Sequence, residues 1–134
     1  MKQVLKLLSV LALLVITGCQ FNKPPSGYLT AWEKPRADFT EIGKALLECG
    51  MPTPYDKDPE SSKLSNNAIA TIHACMVQSG FRYKDERGGG WCGNHKAENL
   101  PICRPGAAIP RPSVKRRLNS PFCKKHPEQY ECYP

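Results

Sequence analysis

The sequence predicts a small α-rich domain in which a two-helix hairpin precedes an irregular, disulfide-stabilised C-terminal region. Two segments, near residues 38–49 and 66–79, each combine a capping side chain, apolar residues at helical spacing and a terminating glycine. The last part, residues 83–134, has few aliphatic residues and no sustained period, and it is rich in proline and cysteine. We therefore expect disulfide bonds to support this region in place of a large apolar core.

The first element in chain order is an export signal. Lys2 and Lys6 precede a mostly aliphatic stretch from Leu7 to Ile16, and small residues follow it. This three-part order is typical of a secretory signal peptide. The apolar stretch is much shorter than the roughly 20 residues that a membrane-spanning helix needs, so we expect no transmembrane helix.

The end of this signal carries a lipidation motif. Ile16-Thr17-Gly18-Cys19 resembles the lipobox of bacterial lipoprotein precursors, in which an aliphatic residue and two small residues precede an obligatory cysteine. The resemblance implies removal of residues 1–18 as a signal peptide and anchoring of Cys19 in membrane lipid through N-terminal acylation, palmitate included. Gln20 after the cysteine implies the outer membrane of a Gram-negative cell, with a periplasmic or surface-facing domain. Residues 19–27 are then the lipidated terminus and tether, and residues 28–134 form a single disulfide-rich domain.

The remaining cysteines agree with export. The chain has seven cysteines, and assigning Cys19 to lipid leaves an even set for disulfide bonds in an oxidising compartment: Cys49, Cys75, Cys92, Cys103, Cys123 and Cys132. Cys49 and Cys75 lie near the apolar faces of the two predicted helices, so we expect a bridge between them. Sequence proximity favours Cys92 with Cys103 and Cys123 with Cys132, and an interleaved pairing stays open.

Both helices of the hairpin have clear boundaries. Asp38 followed by Glu41 fits a capping box, and Gly50 ends the first helix. Ser65 or an adjacent Asn caps the second helix, which Gly80 ends. Apolar residues recur on one face of each helix, at Phe39, Ile42, Leu46 and Cys49 in the first and at Ile69, Ile72 and Met76 in the second.

The second helix also carries a motif of wider occurrence. In "IHACMVQSGFRY" an apolar helix bears Cys-Met and is followed by glycine and an aromatic residue, and "ALLECG" supplies a cysteine on a preceding helix. Residues 28–83 thereby resemble small, uncharacterised cysteine-containing lipoproteins of Gram-negative bacteria. The resemblance implies the same hairpin and indicates no activity. Within this stretch, before the first helix of the hairpin, we expect Trp32 to dock on the domain.

Candidate catalytic and metal-binding residues are few. Cys92 and His95 in "WCGNH" have metal-ligand spacing, but thiolates in an oxidising compartment form disulfides before they bind zinc. His73, His95 and His126 have no recognisable nucleophile to activate, because every cysteine is assigned and no serine has a catalytic context. We therefore expect a protein that is not an enzyme, with no metal site and no cofactor.

The C-terminal region is strongly basic. Between residues 99 and 127 the chain has no acidic residue, and its basic residues are Arg104, Arg111, Lys115, Arg116, Arg117, Lys124 and Lys125. Because prolines and disulfides would hold these charges near each other, they form a candidate polyanion site, with a plain solvated face as the alternative. Anionic glycans, lipopolysaccharide, an anionic leaflet and an acidic protein partner fit this chemistry. Aromatic residues are too sparse here to favour nucleic acid.

These observations together predict an outer-membrane-anchored lipoprotein whose domain is a non-enzymatic binding or interaction module. Its basic C-terminal region is the predicted contact with the polyanion or protein partner. A structural lipoprotein of the cell envelope, or one that excludes phage or plasmids, is the alternative. A small envelope hydrolase is a third and less favoured interpretation.

Overall fold

A computed structural model describes residues 27–55, 60–85 and 90–134 of the chain. The predicted signal peptide, the predicted lipidation site Cys19 and residues 20–26 of the predicted tether lie outside these ranges. No helix within the described ranges is both long enough and apolar enough to cross a membrane.

The described chain is rich in helix, as the sequence predicts, and poor in strand. Its α-helices are α1 Tyr28–Ala31, α2 Phe39–Glu48, α3 Asn66–Gln78, α4 Gly90–Asn94, α5 Val114–Leu118 and α6 Pro121–Lys125. Short 3-10 helices cover Ser61–Lys63, Lys96–Glu98, Pro101–Cys103 and Tyr130–Cys132. Strands β1, Trp32–Glu33, and β2, Arg82–Tyr83, pair in antiparallel fashion with Trp32 opposite Tyr83.

The long helices α2 and α3 begin and end within one residue of the predicted positions. Asp38 and Ser65 cap them, because their side-chain oxygens accept hydrogen bonds from the amides three residues later at 2.9 and 3.1 Å. Gly50 and Gly80 follow the last turns with φ of 107° and 91°. A side chain would strain this left-handed backbone, so the two glycines allow the chain to leave each helix sharply.

The main apolar core lies between α2, α3 and the paired strands. Its buried members are Leu29, Trp32, Ile42, Leu46, Cys49, Met51, Ile72, Cys75, Met76 and Phe81. The burial expected for Trp32 is confirmed, and its ring centroid lies 5.1 Å from that of Tyr83 and 5.0 Å from that of His73. Phe39, predicted on the buried face, is instead 40% exposed because it begins α2 and lies outside this cluster. Ile69 is half-buried.

The chain beyond residue 83 is more regular than expected. The helices α4, α5 and α6 contain five residues each, which is too short to show a helical period in the sequence. Ser113 and Ser120 are the N-cap residues of α5 and α6, and each side chain accepts a hydrogen bond from an amide of the first turn at 3.2 Å. A second buried cluster of Leu47, Phe122, Cys123 and Cys132 attaches this region to α2.

Three disulfide bonds cross-link the described chain, in the pairs that the sequence favours. Cys49–Cys75 joins the end of α2 to α3, with Cα atoms 5.6 Å apart. Cys92–Cys103 and Cys123–Cys132 close two short loops, with Cα separations of 5.5 and 5.3 Å. All three separations lie within the usual range for a disulfide. The two disulfide bonds expected in the C-terminal region are therefore confirmed.

Candidate functional site

Arg117 must be removed from the predicted polyanion site, because its side chain is buried. It is 4% exposed, and its Nε lies 3.2 Å from Oε2 of Glu48 in an ion pair whose geometry falls short of a hydrogen bond. Its Nη1 donates hydrogen bonds of 2.6 Å to the carbonyl oxygens of Glu131 and Tyr133. Arg117 thus joins α2, α5 and the C-terminal segment, and the expectation that it contacts a ligand is wrong.

The other six predicted cations are exposed: Arg104, Arg111, Lys115, Arg116, Lys124 and Lys125. Among the residues that the structure describes, no carboxylate forms an ion pair with any of them. Three nearby carboxylates have other partners, since Glu48 pairs with Arg117, Glu60 with a lysine and Glu128 with a histidine. The six positive charges are therefore not neutralised within the described chain.

Four of these cations belong to the adjoining helices α5 and α6, and Arg111 lies just before α5. Lys115 and Arg116 are on α5, and Nη1 of Arg116 donates to the carbonyl of Arg111 at 3.3 Å. Lys124 and Lys125 end α6, which contacts α5. We call Arg111, Lys115, Arg116, Lys124 and Lys125 the basic surface.

Arg104 belongs to a different part of the fold. It follows the 3-10 helix Pro101–Cys103, which packs on α3, and its Nη2 donates to the carbonyl of Asn99 at 3.4 Å. The predicted set therefore divides into the basic surface, the separate Arg104 and the buried Arg117.

Hydrogen bonds to main-chain carbonyls hold the basic surface against the C-terminal end of α2 and the residues that follow it. The carbonyl of Glu48 accepts hydrogen bonds from the amide of Ser113, at 3.1 Å, and from the Arg116 guanidinium. The amide of Phe122 donates to the carbonyl of Pro52 at 3.2 Å. These contacts hold α5 and α6 in place before any ligand arrives, which lowers the ordering cost of binding.

A groove of 390 Å³ adjoins the basic surface at Arg116. Met51, Lys63, Asn119 and Ser120 also line it. Lys63 is neutralised by Glu60, with Nζ and Oε1 3.0 Å apart, so Arg116 supplies the unpaired positive charge at the groove. The lining also includes the Glu60 carboxylate and apolar side chains such as Leu47 and Leu64, so Arg116 is the part of the groove that would attract an anionic group.

The histidines have packing contacts in separate elements. The ring of His73 packs on Trp32 and Tyr83, that of His95 stacks on Trp91 at 4.4 Å, and that of His126 packs on a phenylalanine. Across residues 27–55, 60–85 and 90–134, no three His, Cys, Asp or Glu side chains are grouped so as to hold a metal ion. The two sulfurs nearest to His95 in sequence are joined as Cys92–Cys103.

The C-terminal segment places one buried carboxylate against α2. Glu131 is 7% exposed, and it packs so closely on Gly43 that a Cβ there would lie 2.9 Å from Glu131 Cγ. Burial, and secondarily the negative charge of Glu131, raises the pKa of Tyr55 above its ordinary value. Tyr55 therefore stays a neutral hydroxyl at physiological pH.

Comparison with known proteins gives no match to this chain. No protein-family model matches it, and neither does a curated protein or a solved structure.

Sequence reasoning missed the exposed aromatic residues next to the basic surface. Tyr130 is 70% exposed and Tyr133 is 47% exposed, with their ring centroids 5.7 Å apart in a T-shaped arrangement. The sequence signal for this exposure is "QYECYP", in which tyrosines lie on both sides of Cys132. The stretch has no aliphatic residue that could pack over their rings.

Proposed function

We propose that this chain is a non-enzymatic binding module of an outer-membrane-anchored lipoprotein, and that its basic surface binds a polyanion. The observation that carries the proposal is a set of five exposed cations, four on two adjoining helices and Arg111 just before the first of them, without a carboxylate partner in the described chain. Anionic glycans, the phosphates of lipopolysaccharide and an acidic protein surface have the complementary charge.

Overlap of the electrostatic potentials supports this proposal. Only Asn119 and Ser120 separate α5 from α6, and the two helices contact each other. The Debye length at physiological salt is about 8 Å. The cations of α5 and α6 therefore reinforce one another at the surface instead of acting as isolated charges. Such a surface speeds the encounter with a polyanion, and salt weakens it.

The proposed anchor and scaffold complete this function. The lipobox ending at Cys19 supports acylation, which would hold the domain at the membrane. We take α2 and α3 as a helical hairpin that serves as the scaffold, supported by the Cys49–Cys75 bridge and by their shared core. The basic surface is attached to the C-terminal end of α2, so the scaffold also fixes its orientation.

Charge-removing substitutions test the proposed contact. Lys115, Lys124 and Lys125 are exposed and donate no described side-chain hydrogen bond, so Lys115→Gln, Lys124→Gln and Lys125→Gln together should leave the fold intact. The control combines Lys44→Gln, Lys84→Gln and Lys96→Gln, which removes the same charge from other elements. The full chain of each variant is titrated with heparin as the probe over a series of salt concentrations.

We expect the first triple variant to bind heparin about a hundredfold more weakly than the unmodified chain. This figure takes about 1 kcal/mol for each basic residue at an anionic surface, and about 1.4 kcal/mol for each tenfold change in affinity. The control variant should lose much less, and the affinity of the unmodified chain should fall steeply with salt. Equal losses in the two variants, or binding that does not respond to salt, would contradict the proposal.

A further inference from the structure

Exposed apolar side chains belong to the same part of the fold as the basic surface. Tyr130 and Tyr133 are 70% and 47% exposed, and Val114 at the start of α5 is 47% exposed. A soluble polyanion would engage the cations and leave these three side chains in water. Exposed cations and exposed apolar side chains in one part of the fold call for a partner that is both anionic and apolar.

Covalent and hydrogen-bonded links join these side chains to the basic surface. The Cys123–Cys132 bridge attaches the segment with Tyr130 and Tyr133 to α6, where Lys124 and Lys125 follow directly after the bridged cysteine. Arg117 donates to the carbonyl of Tyr133 from α5, the helix that carries Val114. The apolar and basic side chains are therefore parts of one cross-linked unit.

The charge of this unit is strongly one-sided. Between residues 111 and 134 the sequence has six basic residues and two acidic ones, Glu128 and Glu131. Glu131 is buried, and the carboxylate of Glu128 lies 3.8 Å from Nδ1 of His126. The surface that the unit presents to a partner therefore remains positive.

A lipid leaflet with anionic headgroups fits both properties. Tyrosine concentrates at membrane interfaces, because its ring is apolar and its hydroxyl is hydrated. Lysine and arginine can lay their methylene stems along apolar surface while their charges reach phosphate. Each basic residue near an anionic leaflet adds about 1 kcal/mol of attraction.

We propose that the basic surface, together with Val114, Tyr130 and Tyr133, docks on an anionic phospholipid leaflet. This inference rests on the proposed function, since it names lipid headgroups as the polyanion. It also predicts how the domain lies at the membrane, with α5, α6 and the C-terminal segment against the headgroups.

Fluorescence quenching by brominated lipid tests this contact directly. The full chain with Tyr130→Trp is reconstituted into vesicles of brominated phosphatidylcholine, with and without phosphatidylglycerol. Val77→Trp is the control, because Val77 is exposed to the same 47% as Tyr133 but lies on α3. The signal of the native Trp32 and Trp91 is subtracted with the unmodified chain, and Tyr133→Trp repeats the measurement at the second tyrosine.

We expect phosphatidylglycerol to increase the quenching at position 130 several-fold, and high salt to reverse the increase, while position 77 does not respond. Equal quenching at positions 130 and 77, or quenching that is independent of phosphatidylglycerol, would overturn the docking inference. Heparin binding separates the two proposals. If the lysine variant loses heparin while position 130 stays unquenched, the polyanion site stands and the membrane contact is wrong. If the lysine variant keeps its heparin affinity, the proposed function itself is wrong.

Discussion

Replacing Arg117 with methionine tests whether this arginine is structural. Methionine keeps an unbranched apolar stem in the buried position but removes the charge. The substitution therefore deletes the ion pair with Glu48 and the two hydrogen bonds to the carbonyls of Glu131 and Tyr133. Lys115→Met is the control, because it removes an exposed cation two positions earlier on the same helix.

The size of the effect follows from the burial of the two partners. Removing one member of a buried ion pair costs about 3–5 kcal/mol, because the other charge is left without compensation. The Glu48 side chain is 20% exposed, so water can partly solvate its carboxylate after the change. We therefore expect a loss near the lower limit, about 3 kcal/mol. Lys115→Met should stay within about 0.5 kcal/mol of the unmodified chain.

Urea unfolding of the full chain with its disulfides intact measures both free energies of unfolding. Glu48→Gln, made alone and together with Arg117→Met, completes a double-mutant cycle, in which we expect a coupling of about 1–3 kcal/mol between the two side chains. A loss of only about 0.5 kcal/mol for Arg117→Met, no larger than that of an ordinary surface substitution, would refute the structural role.

Three other perturbations probe the packing. Replacing both Cys49 and Cys75 with serine should lower the free energy of unfolding by about 3.5 kcal/mol, against about 2.6 kcal/mol for the Cys123–Cys132 pair, because the bridges span 26 and 9 residues. Urea denaturation compares the two, and the reverse order would contradict the loop-closure reasoning. Gly43→Ala puts a methyl group 2.9 Å from Glu131 Cγ and should lower the free energy of unfolding, measured by thermal unfolding, by about 1–3 kcal/mol. No loss would mean that the C-terminal segment shifts to accommodate the methyl group. Ultraviolet titration should show that Tyr55 ionises above the ordinary pKa of 10.0, and Glu131→Gln should lower this pKa only in part because burial remains. Since the folded-state pKa is the raised one, the contribution of Tyr55 to stability is complete below the ordinary pKa and is lost as pH rises through the folded-state value.

The two long helices could be predicted because their signals are local. A cap at Asp38 or Ser65 and a glycine at position 50 or 80 lie within the same short segment as the apolar residues that they enclose. The short helices of the C-terminal region lack this advantage, because five residues do not reveal a period. A capping signal was nevertheless present for α6, where Ser120 precedes a proline at the first helical position.

The division of the basic residues could not be predicted from the sequence. Arg116 and Arg117 are neighbours of the same type, yet one is exposed and the other is buried. The difference depends on Glu48 from α2 and on the carbonyl of Tyr133, which only the tertiary fold brings to Arg117. Local composition identifies a basic segment, whereas the packing decides which charges face a ligand.

Contact mapping by nuclear magnetic resonance tests the polyanion proposal most directly. The isotopically labelled full chain is titrated with a short heparin oligosaccharide, and the amide shifts are assigned to residues. We expect the largest shifts in residues 111–125, because all five cations of the basic surface lie in that range. The amides of α3 and β2 should not shift. Largest shifts in α3 or β2, or no shift in residues 111–125, would contradict the proposal.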